Sequence, residues 1–215
     1  MKKTADPAAG TLDRGLQELE LDPALRAPLI AYRDELERWN AAYNLTSVRD
    51  PVEMVTRHLL DSLALLPALR DVPVSRLIDV GSGAGLPGIP LALARPDWHV
   101  TVLDSNGKKA RFLRHAVRTL RLRNVEVVEG RAEQHVPDVP YDAVVSRAFA
   151  VLGEFIDQTR NLLALGGHWL AMKGRLDDNE LASIPPSVSV PSVVRLQVPG
   201  LHEERHLVIV RKSPR

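Results

Sequence analysis

The 215-residue chain contains no cysteine, which excludes disulfides, thiolate metal sites and any reaction through a cysteine nucleophile. It contains no uncharged apolar run of the ~18 residues that a membrane span requires. The nearest candidate, Val80 to Ala94, is interrupted by Gly and Pro. The opening residues, Met1 to Pro7, lead into no apolar stretch, so no secretory signal is expected. Net charge is almost absent, 28 basic residues against 27 acidic giving +1, and this argues against a uniform coat for a polyanion. At 45% hydrophobic and 26% charged residues, the composition is that of an ordinary folded protein, expected in the cytoplasm without membrane association.

One further absence is local. No acid occurs between Ser105 and Val125, where Lys108, Lys109, Arg111, Arg114, Arg118, Arg121 and Arg123 supply seven cations. Asymmetry of this kind bears more on a polyanionic partner than the overall sum does.

The first seventy residues read as helical. Asp22-Pro23 and Asp50-Pro51 each place an acid at an N-cap with proline at the first helical position. Leu25, Leu29, Tyr32, Leu36, Trp39 and Tyr43 then form one apolar stripe, and Val55, Leu59, Leu63 and Leu66 form a second. A weaker turn at Leu12, Leu16 and Leu19 precedes both, and the stretch before Thr11 is expected to fray. From Ser75 the texture changes to short apolar runs: Arg76 to Val80, Val100 to Leu103, Val125 to Val128, Ala143 to Val145 and Trp169 to Met172. These alternate with helical patterns at Ile89 to Ala94, Lys108 to Leu122 and Leu152 to Leu165. The alternation predicts a doubly wound α/β domain with a mostly parallel sheet. Val193 to Val198 and His206 to Arg211 add a closing antiparallel pair, making seven strands. The expected organisation is a helical N-terminal extension over residues 1–70 and a Rossmann-like domain over 71–215.

The most informative stretch runs from Leu77 to Pro90. It follows the first strand and opens a helix, and Gly83, Gly85 and Gly88 fit the G-x-G-x-x-G pattern of dinucleotide sites. A dinucleotide would set its pyrophosphate against this loop and the helix N-terminus. Asp79, two residues before Gly81, would repel it. A carboxylate there suits a ligand that brings positive charge and no phosphate, which describes S-adenosyl-L-methionine with its ammonium and sulfonium. The methyl donor is therefore preferred over NAD. Asp104, ending the second strand, is placed to accept ribose hydroxyls from either ligand. After the third strand, Ala132 and Glu133 offer a backbone amide and a carboxylate to adenine. Arg147 and Lys173, ending strands four and five, face the same crevice, where a target base would arrive.

In the helix from Gly107 to Leu122, Phe112, Leu113, Ala116, Val117 and Leu120 form the buried face. Arg111, Arg114, Arg118 and Arg121 form an outward stripe with no acid at i,i+4 within the helix. A solvated face and an RNA-facing one both fit this stripe. Absent residues narrow the chemistry further. Without cysteine, methyl transfer to carbon 5 of a pyrimidine is excluded. The Asn/Asp-Pro-Pro-aromatic turn of exocyclic-amine methyltransferases is missing after the fourth strand, where Ser146-Arg147-Ala148-Phe149 stands instead. An atom already nucleophilic, such as guanine N7, remains, and it needs alignment rather than a general base. His202-Glu203-Glu204-Arg205-His206 matches the zinc pattern H-E-x-x-H, which works on a helix. Here it runs into a strand, where residues four apart lie about 13 Å apart, so no metal site is expected.

These motifs resemble a known family. Leu77 to Pro90, Leu103 to Lys109, Arg111-Phe-Leu-Arg114 and Ser146 to Phe149 are similar to the bacterial ribosomal RNA small subunit methyltransferase G family, also called glucose-inhibited division protein B. Trp39-Asn40, Tyr43 to Thr46 and Arg57 to Ser62 match it as well. The resemblance spans Trp39 to Gly174 and implies a class I S-adenosylmethionine-dependent methyltransferase fold. It implies methylation of guanine N7 in 16S rRNA of the small ribosomal subunit, in the decoding-region 530 loop at nucleotide 527. It also implies donor contacts at Gly81, Leu86, Ala132, Glu133 and Arg147, and no catalytic base. Taken together, the expected donor site comprises Asp79, Gly81, Gly83, Leu86, Asp104, Ala132, Glu133 and Arg147. The 16S rRNA is the expected partner and a monomer the expected state. The rival readings are an NAD-binding oxidoreductase and a non-catalytic RNA-binding protein.

Overall fold

A computed structural model describes residues 6–147 and 149–213; Ala148 of the Ser146–Phe149 motif lies outside them. The helical segment comes first. α1 (Pro7–Glu18) begins with Asp6 accepting from the Ala8 amide at 3.0 Å, a third Asp-Pro start beside the two read from sequence. Ala8, Ala9 and Leu12 are buried, so the turn expected to fray is held by its cap and its contacts. A short 3₁₀ turn (Pro23–Leu25), capped by Asp22, leads into α2 (Arg26–Tyr43). Asn44, in the left-handed region at φ 49°, ends that helix.

Asp50 accepts from the Val52 and Glu53 amides, both at 2.9 Å, and opens α3 (Pro51–Met54). The chain then widens into a π-helical stretch (Val55–Leu60) before tightening through α4 (Asp61–Leu63) and α5 (Leu65–Ala68). π-Turns inside helices are frequent at functional sites because they re-aim side chains.

Seven strands follow: β1 (Arg76–Val80), β2 (His99–Asp104), β3 (Val125–Glu129), β4 (Tyr141–Ser146), β5 (Leu163–Lys173), β6 (Ser192–Arg195) and β7 (His206–Arg211). Between them lie α6 (Gly88–Ala94), α7 (Gly107–Thr119), a 3₁₀ turn (Ala132–Gln134), α8 (Leu152–Thr159) and α9 (Asp178–Ala182). The strands are ordered β3-β2-β1-β4-β5-β7-β6. Pairings are parallel from β3 through β5, and β7 runs antiparallel to both β5 and β6. The order therefore reverses between β1 and β4, which opens a crevice at their carboxyl ends.

Both sheet faces are covered. One core unites Leu12, Leu16, Leu29, Tyr32, Leu36 and Leu59 of the N-terminal helices with Leu77, Ile89, Val102 and Phe112. The helical segment and the sheet thus share a single apolar interior. The opposite core gathers Tyr141, Phe155, Leu163 and Trp169.

The sequence expected a helix through Leu165, but α8 stops at Thr159 and β5 already begins at Leu163. The apolar run Leu162 to Leu165 has no period that separates helix from strand. Pairing with β4 decides it, with a register shift between Tyr141 and Ala143 near Gly166, whose φ is 76°. No helix among the described residues is long and apolar enough to cross a membrane.

Candidate functional site

The loop between β1 and α6 forms the floor of the crevice. Its first support is Asp79, which is fully buried. Asp79 Oδ2 accepts from Ser82 Oγ at 2.7 Å and from the Gly88 amide at 2.8 Å. Burial pushes its carboxyl up to about 6, against the pull of these two hydrogen bonds. Asp79 lines neither of the two cavities that meet at the loop. It sits beneath the glycines and clamps both ends of the loop, so the carboxylate expected to face a ligand faces backbone instead. A Cβ on Gly88 would lie 2.9 Å from Asp79 Oδ2 and 2.6 Å from Val102, and this close approach is what the third glycine permits.

A second support comes from β2. Asp104 Oδ2 accepts from the Gly83 amide at 2.8 Å, and Oδ1 accepts from the Asn106 amide at 2.8 Å. Lys109 Nζ lies 3.6 Å from Oδ2. An ionised carboxylate has about four lone-pair sites, so Asp104 retains acceptor capacity toward the cavity it lines. Tyr32 of α2, wholly buried, adds a third support by donating its hydroxyl to the Ala84 carbonyl.

One cavity, of about 300 Å³, is lined by Gly81, Asp104, Lys109, Ala132, Glu133 and Phe149. The other, of about 450 Å³, is lined by Thr46, Arg57, His58, Gly81, Gly83, Leu86, Arg147, Lys173 and Arg205. Gly81 belongs to both. The structure thus brings Gly81, Gly83, Leu86, Asp104, Ala132, Glu133 and Arg147 around two joined cavities at the switch point.

Arg147 and Lys173 both reach the larger cavity, with different freedom. Lys173 donates to the Phe149 and Ala150 carbonyls at 2.8 and 2.9 Å and pairs with Glu180. Its ammonium is spent on the loop after β4. Among the described residues Arg147 uses Nη1 alone, toward Asp61 Oδ2 at 3.0 Å and the Arg57 carbonyl at 3.4 Å.

Several residues of this cavity were given no role by sequence reasoning. Asp61, almost fully buried, also accepts from Arg205 Nε at 3.1 Å. Burial raises its carboxyl while the two guanidiniums oppose the rise. Arg57 holds Glu203 by two bonds of 2.6 and 3.2 Å, and Glu203 also takes Arg205 Nη2 at 3.1 Å. His58 Nε2 meets Thr46 Oγ1 at 2.8 Å. Burial first, and then Arg147, push that imidazole down to about 4, so it is neutral at physiological pH. The signals were present in Arg57 to Ser62 and in the H-E-x-x-H stretch, which contributes Glu203 and Arg205. Among the described residues no group of three or more acidic or histidine side chains could hold a metal ion.

On α7, the side chains of Arg111 and Arg118 make no hydrogen bond or ion pair among the described residues. Arg114 does find an acid outside its helix, Glu129 of β3 at 2.9 Å. The helix ends at Thr119, and Arg121 lies beyond it in the left-handed region at φ 55°. The four arginines therefore do not form one regular stripe.

Comparison with known proteins bears on this geometry. Residues 26–208 match the family model described as GidB, rRNA small subunit methyltransferase G. The protein named ribosomal RNA small subunit methyltransferase G from Xanthomonas axonopodis pv. citri is 51% identical over 209 residues, 97% of each chain. Its namesake from an Enterobacter species is 50% identical over 185 residues, 86% of this chain and 88% of that one. A predicted O-methyltransferase from Agrobacterium tumefaciens superposes with a TM-score of 0.57 at 22% identity, covering 73% of this chain and 80% of its own. A SAM-dependent O-methyltransferase from Thermotoga maritima gives 0.56 at 17%, covering 72% and 65%. At such identities the solved structures establish the fold alone, that of the Rossmann-like class I methyltransferases. The identity along nearly the whole chain goes further: the protein belongs to the rRNA small subunit methyltransferase G family.

Proposed function

We propose that this protein methylates guanine N7 in the 16S rRNA of the small ribosomal subunit, in the cytoplasm, with S-adenosylmethionine as donor. The observation that carries the reading is the pair of neighbouring cavities that share Gly81, the smaller offering Asp104 and Glu133 beside Lys109 and Arg131, the larger offering Arg57, Arg147 and Arg205 around Asp61.

The residues present fit the donor. Asp104 in the smaller cavity suits ribose hydroxyls and Glu133 suits adenine, and the family to which the chain belongs favours the methyl donor over a nicotinamide dinucleotide. Gly81 and Gly83 offer bare backbone where the cavities meet, with Leu86 against the larger one. We assign donor binding to Gly81, Gly83, Leu86, Asp104, Ala132, Glu133 and Arg147, and assign Asp79 the role of brace beneath them. When bound, the donor supplies an electrophilic methyl group on a sulfonium.

The protein's task is then alignment. A guanine N7 lone pair lies in the ring plane and needs no proton removed, so orientation supplies most of what the chain contributes. The neutral His58 imidazole is tied to Thr46 and shapes the wall. Lys173 acts at one remove, holding the Phe149–Ala150 segment beside the smaller cavity.

Labelled methyl transfer tests the reading. Small subunits from a strain lacking the modification should accept one methyl group, and mass analysis should find it as N7-methylguanosine in the 530 loop. Label at another nucleotide would overturn the site assignment. No label on any RNA would favour a binding protein that has kept the fold.

A further inference from the structure

Three guanidiniums reach the larger cavity from distant parts of the chain: Arg57 from the π-helical stretch, Arg147 from the end of β4 and Arg205 from the β6–β7 loop. Two carboxylates answer them, and the two are not equivalent. Asp61 is 4% exposed and tied to both Arg147 and Arg205, so it is part of the frame. Glu203 is 48% exposed and sits at the rim, bound to Arg57 and Arg205. Exposed ion pairs of this kind are weakly held and easily exchanged for another anion. A phosphate matches the same fork of N–H donors and carries comparable charge.

We propose that Arg57 and Arg205 form a phosphate clamp for the RNA backbone beside the target base, and that Glu203 is the internal anion occupying the clamp until RNA displaces it. The proposal rests on the methyltransferase reading above and assigns RNA-positioning residues that the sequence left without a role. Asp61 fixes Arg205 from behind through Nε, which leaves Nη2 to change partner. Arg147, which lines the same cavity as the clamp, keeps Nε and Nη2 without partners among the described residues. The placement also accounts for the π-helical stretch, since a regular turn would aim the Arg57 side chain differently.

Two substitutions with opposite expected signs test the clamp. Arg57→Gln should weaken binding to small-subunit RNA about tenfold and lower the slope of log affinity against log salt by about 0.7, one single-strand phosphate contact. Glu203→Gln should tighten RNA binding about threefold, because the competing anion is gone. Neither should alter calorimetric affinity for S-adenosylmethionine. A merely structural Arg57–Glu203 pair predicts that both variants weaken RNA binding together, and that result overturns the clamp, as does RNA affinity unmoved in both. Methyl transfer by the unsubstituted protein separates the two levels. If it is present while the variants bind alike, the clamp alone fails; if it is absent on every RNA, the functional reading fails and takes the clamp with it.

Discussion

Arg147 and Asp61 stand 86 residues apart in the chain and are joined by a 3.0 Å hydrogen bond. The bond ties the carboxyl end of β4 to the helical segment at the edge of the larger cavity. Because Arg205 bonds the other oxygen of the same carboxylate, one buried acid fixes two cavity-lining guanidiniums.

Asp61→Asn should therefore cost more than a surface change. It leaves two arginines short of a charged acceptor, although both are partly open to water, so the loss expected is about 1–3 kcal/mol. Urea denaturation would measure it. Methylation should fall together with the lost cavity order, whereas full activity with an unchanged denaturation midpoint would remove Asp61 from the frame.

Asp79 gives a pH-dependent prediction. Its carboxyl titrates near 6 in the folded chain and near 3.8 unfolded, so between those values the folded state binds the extra proton. Stability from this group is gained as pH falls from about 7 to 5 and lost as pH rises through 6, by about 3 kcal/mol at most. His58 acts in the opposite sense over the same range, being neutral when folded down to about 4. A difference measurement cancels it. Relative to Asp79→Asn, wild type should gain stability steadily as pH is lowered from 7 to 5; a flat difference would mean the carboxyl titrates normally.

The same clamp predicts the outcome at Gly88. An added Cβ would press on Asp79 and Val102 at under 3 Å, and neither a buried carboxylate nor a strand residue has room to withdraw. Gly88→Ala should destabilise by about 1–3 kcal/mol and weaken S-adenosylmethionine binding, since the loop it closes holds Gly81 and Gly83. Thermal unfolding and calorimetry on the same sample would check both effects.

Local signals explain what the sequence made legible. Asp-Pro caps start helices through their own side chains, and β1 appears at Arg76–Val80 as read because its apolar run is bounded on both sides. The glycine pattern located the loop and Asp104. What escaped reading is long-range or ambiguous in period. Leu162 to Leu165 fits helix or strand until β4 pairs with it. Asp79 was given a ligand-facing role because its distance from Gly81 is visible in sequence, while its burial under Gly88 is not. The Arg57–Glu203 pair spans 146 positions, and Glu203 stood inside a motif that pointed to metal chemistry. A residue's partner across the fold is a property of topology, which a single sequence shows only in outline.

The basic residues of α7 allow a final test, because the structure separates arginines that look alike in sequence. Arg111, Arg114 and Arg118 border a cleft with Trp39 and His115, but Arg114 is neutralised by Glu129. A lone arginine with its own carboxylate in place gains less from a phosphate than one without, unlike Arg57 and Arg205, which share one acid and together offer a phosphate two guanidiniums. Trp39 is already packed against Tyr43, His115 and Phe112, with ring centroids 5.2, 4.8 and 5.7 Å away, so this surface offers charge to RNA rather than base stacking. Arg118→Gln should then weaken binding to small-subunit RNA and lower the salt slope by roughly 0.7–0.9, and Arg111→Gln should behave alike. Arg114→Gln should do distinctly less. Arg121, turned out of the helix by its left-handed backbone, should follow Arg114 rather than Arg118. If all four substitutions gave the same salt slope as wild type, this face of α7 would be a solvated surface, and the phosphate contacts would have to lie around the cavity that Arg57, Arg147 and Arg205 line.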